Sequence, residues 1–271
     1  MVQFLLILVI LLQKFNCMPA NNKIGWISQL SLAFARCDGY YKSEIEGEVE
    51  ISFRYNGLKR INIFLRDELS SDITIFYDAI VNRKYSFMNS INIPADGCLQ
   101  IVDLAPGIGL ACMLFNSSFD SCIIFACEND DKNKQQLEKN FLSNNIINHW
   151  LRYQSVYETS RSPNKILSQF NGINISYDKD MVYYLSALGI ISEKIKCSEF
   201  TLLIINFFQA FAFFSNFNYC KQYLIKMSFI AVDCTGIRID DKNKLNTMFA
   251  ELSIEFSYKD DVIVIQMPKL K

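Results

Sequence analysis

Val102-Asp103-Leu104-Ala105-Pro106-Gly107-Ile108-Gly109 is the stretch that decides the fold. It ends a short apolar run, Leu99 to Leu104, that reads as a buried parallel strand. It leads into Gly109 to Phe115, which reads as a helix. A nucleotide-type cofactor that crosses such a turn needs the backbone to come close, and glycine allows this. Gly107 and Gly109 fill two of the usual glycine positions, and Ala105 stands in the first. A second apolar run, Ser121 to Cys127, predicts the next strand, and Glu128 follows it, 19 residues after Gly109. A carboxylate there can accept hydrogen bonds from both hydroxyls of an adenosine ribose. Asp103, at the end of the first strand, is placed to orient the turn or to reach a ligand through water.

Working outward, strands and helices alternate. Asp130 to Asn144 predicts a helix with Leu137 and Phe141 on one side. Strands are expected at Trp150 to Val156, Thr201 to Ile205 and Ser228 to Asp233, and helices at Phe207 to Tyr223 and Lys242 to Ala250. Residues 158–198 read as irregular apart from an apolar patch at Met181 to Ile191. The chain ends on two strand-like runs around Tyr258-Lys259-Asp260-Asp261, an antiparallel pair. Alternating βα units imply a doubly wound α/β sheet. Upstream, Glu48 to Tyr55 alternates at period two, Asn56-Gly57 signals a two-residue hairpin turn, and Lys59 to Leu65 supplies the returning strand. Asp72 to Val81 reads as a helix.

The composition limits the function classes. Hydrophobic residues are 51% and charged residues 20% of the 271, enough for a real core. A net charge of −1 gives no general pull on nucleic acid, so none is expected as a partner. Nine cysteines without a CxxC pair, and one histidine, argue against a Cys/His zinc site, and no metal is expected. Cys122 and Cys127 read as small buried hydrophobes. Met1 to Leu12 is almost purely apolar, too short to span a bilayer comfortably. Its length fits a signal peptide or signal-anchor over residues 1–20, the only route to a membrane, and the other reading is a helix packed on the domain. A signal would place the chain in the secretory pathway or on a membrane; otherwise it is cytoplasmic. Asn116 and Asn174 match glycosylation acceptors, relevant only to a secreted chain. The expected division is residues 1–20, an extension with the hairpin at 21–66, and the main domain at 67–271.

The residues Asp103 to Gly109 resemble motif I of class I methyltransferases, with alanine for the first glycine. The wider stretch from Asp67 to Asp233 resembles the FkbM methyltransferase family, best over residues 71–146. The matching pieces are Ser71 to Tyr85, the glycine turn, Glu128 to Asp130, Leu137 to Phe141 and Asn144 to Ile146. The resemblance implies a Rossmann-like sheet ending in an antiparallel hairpin. It implies S-adenosylmethionine as cofactor, held at Asp103, Ala105, Gly107, Gly109 and Glu128. It also implies O-methylation of a hydroxylated small molecule or sugar.

The departures bear on chemistry. After strand four the family has a segment of the form Asp-Ile-Glu-Gly-Ala-Glu, whereas this chain reads Asn206 to Phe211, without the acids or the glycine. After strand five it often has Glu followed by His, whereas here Asp233 and Thr235 stand. A hydroxyl acceptor wants a base or a metal to remove its proton. Asp233 is the one candidate catalytic residue, and it reads as structural more readily than catalytic. The sole histidine, His149, reads as a loop residue, and Phe207, Phe208 and Phe211 as core. Two main readings follow: an active methyltransferase on a less demanding acceptor, and a degenerate methyltransferase fold that binds or scaffolds. A nicotinamide-dependent oxidoreductase could use the same turn and acid.

Overall fold

Buried parallel strands need cover on both faces, and the alternation of apolar runs with helices supplies it. The computed structural model describes residues 20–45, 47–56, 58–66, 71–91, 93, 97–146, 149–152, 179–195 and 200–267. The chain forms two compact units that interleave along the sequence: residues 1–86, 107–120 and 135–147, and residues 87–106, 121–134 and 148–271.

The first unit begins with α1 (Ala20–Arg36) and the strands β1 (Tyr40–Ile45), β2 (Glu48–Phe53) and β3 (Ile61–Arg66). Ile27, Leu30, Ala33 and Phe34 recur at helical spacing on α1, and all are buried. The strands form an antiparallel sheet in the order β1-β2-β3. The hairpin that the period-two pattern implies is present, and β1 extends it. The connection is longer than the two-residue turn expected: the last paired residues are Phe53 and Ile61. Asn56 does take positive φ, at 49°, as such a turn signal predicts. Strand β1 escapes the pattern because its register shifts between Tyr41 and Ser43, which spoils strict alternation.

Helix α2 (Asp72–Ile80) buries Ile73, Phe76, Ala79 and Ile80. Phe76 meets Phe53 edge-on, with centroids 5.0 Å apart. At the mouth of this helix Asp72 is fully buried and takes a forked pair from Arg66, Nε to Oδ2 at 2.8 Å and Nη2 to Oδ1 at 2.7 Å.

Strand β3 is an edge strand, and helix α4 (Asp131–Ser143) covers it with side-chain amides. The backbone N–H of Asn62 donates to Oδ1 of Asn144, and that of Phe64 donates to Oδ1 of Asn140, each at 2.8 Å. In return Nδ2 of Asn144 donates to the Asn62 carbonyl at 2.6 Å, and Nε2 of Gln136 to the Phe64 carbonyl at 2.6 Å. Four residues of helix rise about 6 Å, and two residues of strand rise about 6.8 Å. The two spacings match closely enough for one helix face to stand in for a neighbouring strand. Lys139 adds an ion pair to Glu48 and sits over the Phe64 ring, 4.0 Å from its centroid.

Gly109 lets α4 approach the turn before α3 (Leu110–Ser118). It has φ of +83°, and a Cβ there would lie 2.4 Å from Cδ1 of Leu137 and 2.9 Å from Cε1 of Phe141. Gly107 also has positive φ, +54°, but a Cβ there would meet nothing within 4 Å. Asn116 lies within α3, and Asn174 lies outside the described residues.

The second unit is built on one sheet of seven strands in the order β6-β5-β4-β7-β8-β10-β9. These are β4 (Leu99–Asp103), β5 (Cys122–Cys127), β6 (His149–Arg152), β7 (Phe200–Asn206), β8 (Phe229–Asp233), β9 (Phe256–Lys259) and β10 (Val262–Gln266). Strands β4 to β8 run parallel, and β10 is antiparallel to both β8 and β9. The α/β fold and its closing antiparallel hairpin are thus as the sequence implies. All five residues of β4 are buried. Its one neutral polar side chain, Gln100, donates to Oγ1 of Thr201 at 3.3 Å.

Helices α5 (Lys179–Lys194), α6 (Phe207–Ser215), α7 (Phe217–Leu224) and α8 (Ile239–Glu251) complete this unit. The single helix expected over Phe207 to Tyr223 is two. Asn216 leaves helical geometry at φ −115°, and its Nδ2 donates to the Ala212 carbonyl at 2.9 Å, competing with the helix ladder. Cys122 and Cys127 are buried, as their apolar context implies. Burial also pushes the Cys37 and Cys220 thiols up to about 12. No helix among the described residues is long and apolar enough to cross a membrane. The apolar run Met1 to Leu12 lies outside them.

The two turn glycines should respond differently to the same change. Gly109→Ala combines a clash with the Leu137 and Phe141 side chains with left-handed strain and should destabilise by about 3 kcal/mol. Gly107→Ala meets only the strain and should cost about 1 kcal/mol. Urea denaturation of both variants measures this, and equal losses would contradict the packing role of Gly109.

Candidate functional site

In an open α/β sheet the ligand crevice lies where strand order reverses, outside the carboxyl ends of the strands. Here the chain runs from β4 outward to β5 and β6, then returns to place β7 on the other flank of β4. The reversal is therefore between β4 and β7. Asp103 ends β4 and pairs in register with Ala126 on one side and Ile204 on the other. Glu128 follows β5, Asn206 ends β7, and Asp233 ends β8, paired with Asn206. Two sequence-derived carboxylates and the one candidate catalytic acid thus share the carboxyl end of this sheet.

Asp103 is 3% exposed, and its Oδ1 accepts from the Ala105 N–H at 3.2 Å. Of the two roles set out for it, orienting the turn is the one this bond performs. Glu128 is 7% exposed, and its Oε1 accepts from the Asp130 N–H at 2.9 Å. Asp130 in turn accepts from the Asn133 N–H at 2.8 Å, the first turn of α4. Glu128 is therefore held by the bend that starts this helix, and its carboxylate stays at the end of β5.

The turn after Asp103 continues through Ala105 and Pro106 to Gly107, in the first unit. Gly107 is the position at which added bulk would project into open space, the property a backbone needs where a ligand approaches. Gly109 is the N-cap of α3 and provides no side-chain acceptor for it. Its own packing reason, the contact with Leu137 and Phe141, stands apart from any ligand.

At the end of β7 the structure assigns roles that the sequence reading missed. Asn206 and Gln209 form a reciprocal capping box on α6: Oδ1 of Asn206 accepts from the Gln209 N–H, and Oε1 of Gln209 accepts from the Asn206 N–H, both at 2.9 Å. Gln209 is buried and its Nε2 donates to the Leu104 carbonyl at 3.2 Å, tying α6 to the end of β4. The sequence signal for this box is Asn-x-x-Gln ahead of an apolar run.

The phenylalanines correct the expectation that all three are core. Phe207 is buried, but Phe208 is 69% and Phe211 37% exposed. The cap starts α6 at Phe207, which points the next position outward. Asp233 is half-buried, and its Oδ1 accepts from both the N–H (3.0 Å) and the hydroxyl (2.7 Å) of Thr235. His149 opens β6 rather than lying in a loop. Among the described residues no group of three or more His, Cys, Asp or Glu is placed to hold a metal ion.

No protein-family profile matches the chain, and no curated protein matches it. Among solved structures it is similar to the METTL16 MTase domain, at a TM-score of 0.52 and 9% identity, over 98% of this chain and 93% of that one. It is also similar to SMU.776, a putative methyltransferase complexed with SAH, at 0.45 and 13%, over 83% of this chain and 57% of that one. A third similarity is to a ribosomal protein L11 methylase from Lactobacillus delbrueckii subsp. bulgaricus, at 0.40 and 10%, over 70% and 79%. The latter two scores are too low to establish shared topology. The first, with the strand order above, establishes the fold and nothing beyond it: the chain has the Rossmann-like α/β fold of a class I methyltransferase.

Proposed function

We propose that this chain binds S-adenosylmethionine at the carboxyl end of its parallel strands and transfers the methyl group to a small hydroxylated acceptor. The observation that carries the reading is Glu128, a buried carboxylate at the end of β5, next to the strand-order reversal. It stands where two ribose hydroxyls would donate. The residues proposed to hold the cofactor are Asp103, Ala105 and Glu128 at the strand ends, with Gly107 and Gly109 shaping the turn. Gly107 fits the role because its missing side chain leaves open space. When bound, the sulfonium supplies an activated methyl group, and the protein's task is alignment, worth on the order of 7 to 11 kcal/mol.

The resemblance to FkbM enzymes supports a hydroxylated small molecule or sugar as acceptor. A net charge of −1 disfavours a polyanionic acceptor such as nucleic acid. The carboxylate that ends β8, Asp233, is the candidate to polarise the acceptor, with Thr235 holding one of its oxygens.

A second reading has its own observation. The end of β7 carries an amide, Asn206, whose oxygen caps α6, and beside it an exposed phenyl ring at Phe208. That is a surface for contact rather than proton removal. A methyltransferase fold that keeps the cofactor and serves as a binding module fits this segment.

Calorimetry with S-adenosylmethionine separates these. The wild type should bind, and Glu128→Ala should bind about 10- to 100-fold more weakly, the worth of hydrogen bonds to one carboxylate. A wild type that does not bind removes both readings. If Asp233 acts on the acceptor, Asp233→Asn should lower kcat by about 100-fold and leave cofactor affinity unchanged. Binding without turnover across a panel of hydroxylated acceptors would leave the binding-module reading standing.

A further inference from the structure

Asn140 is completely buried on α4, and its single amide serves two elements. Its Oδ1 accepts from the Phe64 N–H at 2.8 Å, on the edge strand. Its Nδ2 donates to the carbonyl of Ile108 at 2.9 Å. Ile108 is the residue between Gly107 and Gly109, both of which have positive φ. Gln136 and Asn144, one helical turn to either side, reach β3 by the bonds described above. Among the described members of this amide ladder, Asn140 is the one bonded to the turn.

We propose that Asn140 is a positioning residue for cofactor binding, acting by fixing the Ile108 carbonyl and with it the peptide planes from Gly107 to Gly109. The proposal rests on reading that turn as the cofactor turn. The physical need is plain. Glycine visits both signs of φ with little bias, so a turn with glycine on either side of Ile108 has several arrangements of similar energy. Only one of them presents the backbone as α3 begins. Anchoring the central carbonyl on a buried donor selects that arrangement before the ligand arrives, and binding then spends less free energy on ordering.

The chemistry of the site accounts for the residue type. The position requires an acceptor for the Phe64 N–H and a donor for the Ile108 carbonyl, and the same Nδ2 makes a longer contact to the Phe64 carbonyl at 3.4 Å. Aspartate has the same shape but offers a second acceptor where a donor is needed. Alanine leaves both backbone groups unsatisfied in a dry interior. Glutamine is one methylene too long for a site with no exposed surface.

The test compares Asn140→Asp with Asn144→Asp. Both changes remove an amide donor that serves β3, Asn140 from α4 and Asn144 from the residue that follows it. Only the first faces the turn. Circular dichroism confirms folding, calorimetry gives the Kd for S-adenosylmethionine, and hydrogen exchange reads the amides from Gly107 to Leu110. Asn140→Asp should raise the Kd at least about tenfold, the worth of one buried hydrogen bond, and speed exchange at Gly109 and Leu110. Asn144→Asp should lower the thermal midpoint and leave the Kd within about twofold. If Asn140→Asp does not fold, Asn140→Ala, which adds no charge, is measured in its place. Equal loss of affinity in both variants, or an unchanged Kd at position 140, overturns the proposal while leaving the cofactor reading intact. A wild type that does not bind overturns that reading instead, and unchanged exchange in the turn then overturns the positioning role as well.

Discussion

The reversal of strand order between β4 and β7 is the constraint on which the rest of this molecule depends. Once the chain goes outward from β4 to β5 and β6 and restarts on the opposite flank, connections cannot close over the carboxyl ends of the central pair. The residues that end those strands then share one end of the sheet. In this chain that row is Asp103, the residue after β5, Glu128, and then Asn206 and Asp233. Each is pinned by its own local bond, to Ala105, Asp130, Gln209 and Thr235 respectively. The pinning uses one oxygen of each side chain, so the row is held in place by short-range turns that do not need a ligand to form.

The row was legible in the sequence to differing degrees, for physical reasons. Strands β4 and β5 were plain because a parallel strand buried on both faces must be continuously apolar, and Leu99 to Leu104 and Ser121 to Cys127 are. Asp103 and Glu128 followed from them by position. Strand β1 was not legible, because an edge strand with a register shift keeps no period. The break at Asn216 was hidden in an aromatic run whose apolar spacing suits one long helix. Asn206 and Gln209 carry a local signal of their own, a capping box that acts whatever the family has at those positions. The exposure of Phe208 could not be read from composition, since a phenylalanine counts as core until the start of its helix is known.

The glycine turn shows how two residues with one sequence signature divide into two physical roles. Gly109 is required by its neighbours on α4, where any side chain would overlap Leu137. Gly107 has a left-handed backbone angle, and a Cβ added there would meet nothing within 4 Å. The same helix that excludes a side chain at Gly109 covers the edge of β3 with amides and takes hold of Ile108. Helix α4 is thus the common support of the N-terminal strands and of the turn. The segment after β7 is scaffolding of its own: Asn206 and Gln209 cap α6, and Gln209 ties that helix to the end of β4.

The most direct test of the account is a crystal structure of the protein grown with S-adenosylhomocysteine. The expected result is density over the turn from Asp103 to Gly109, with both ribose hydroxyls within hydrogen-bond distance of Glu128. Density at the opposite end of the sheet, near Gln266, or a saturated crystal with an empty turn, would contradict it.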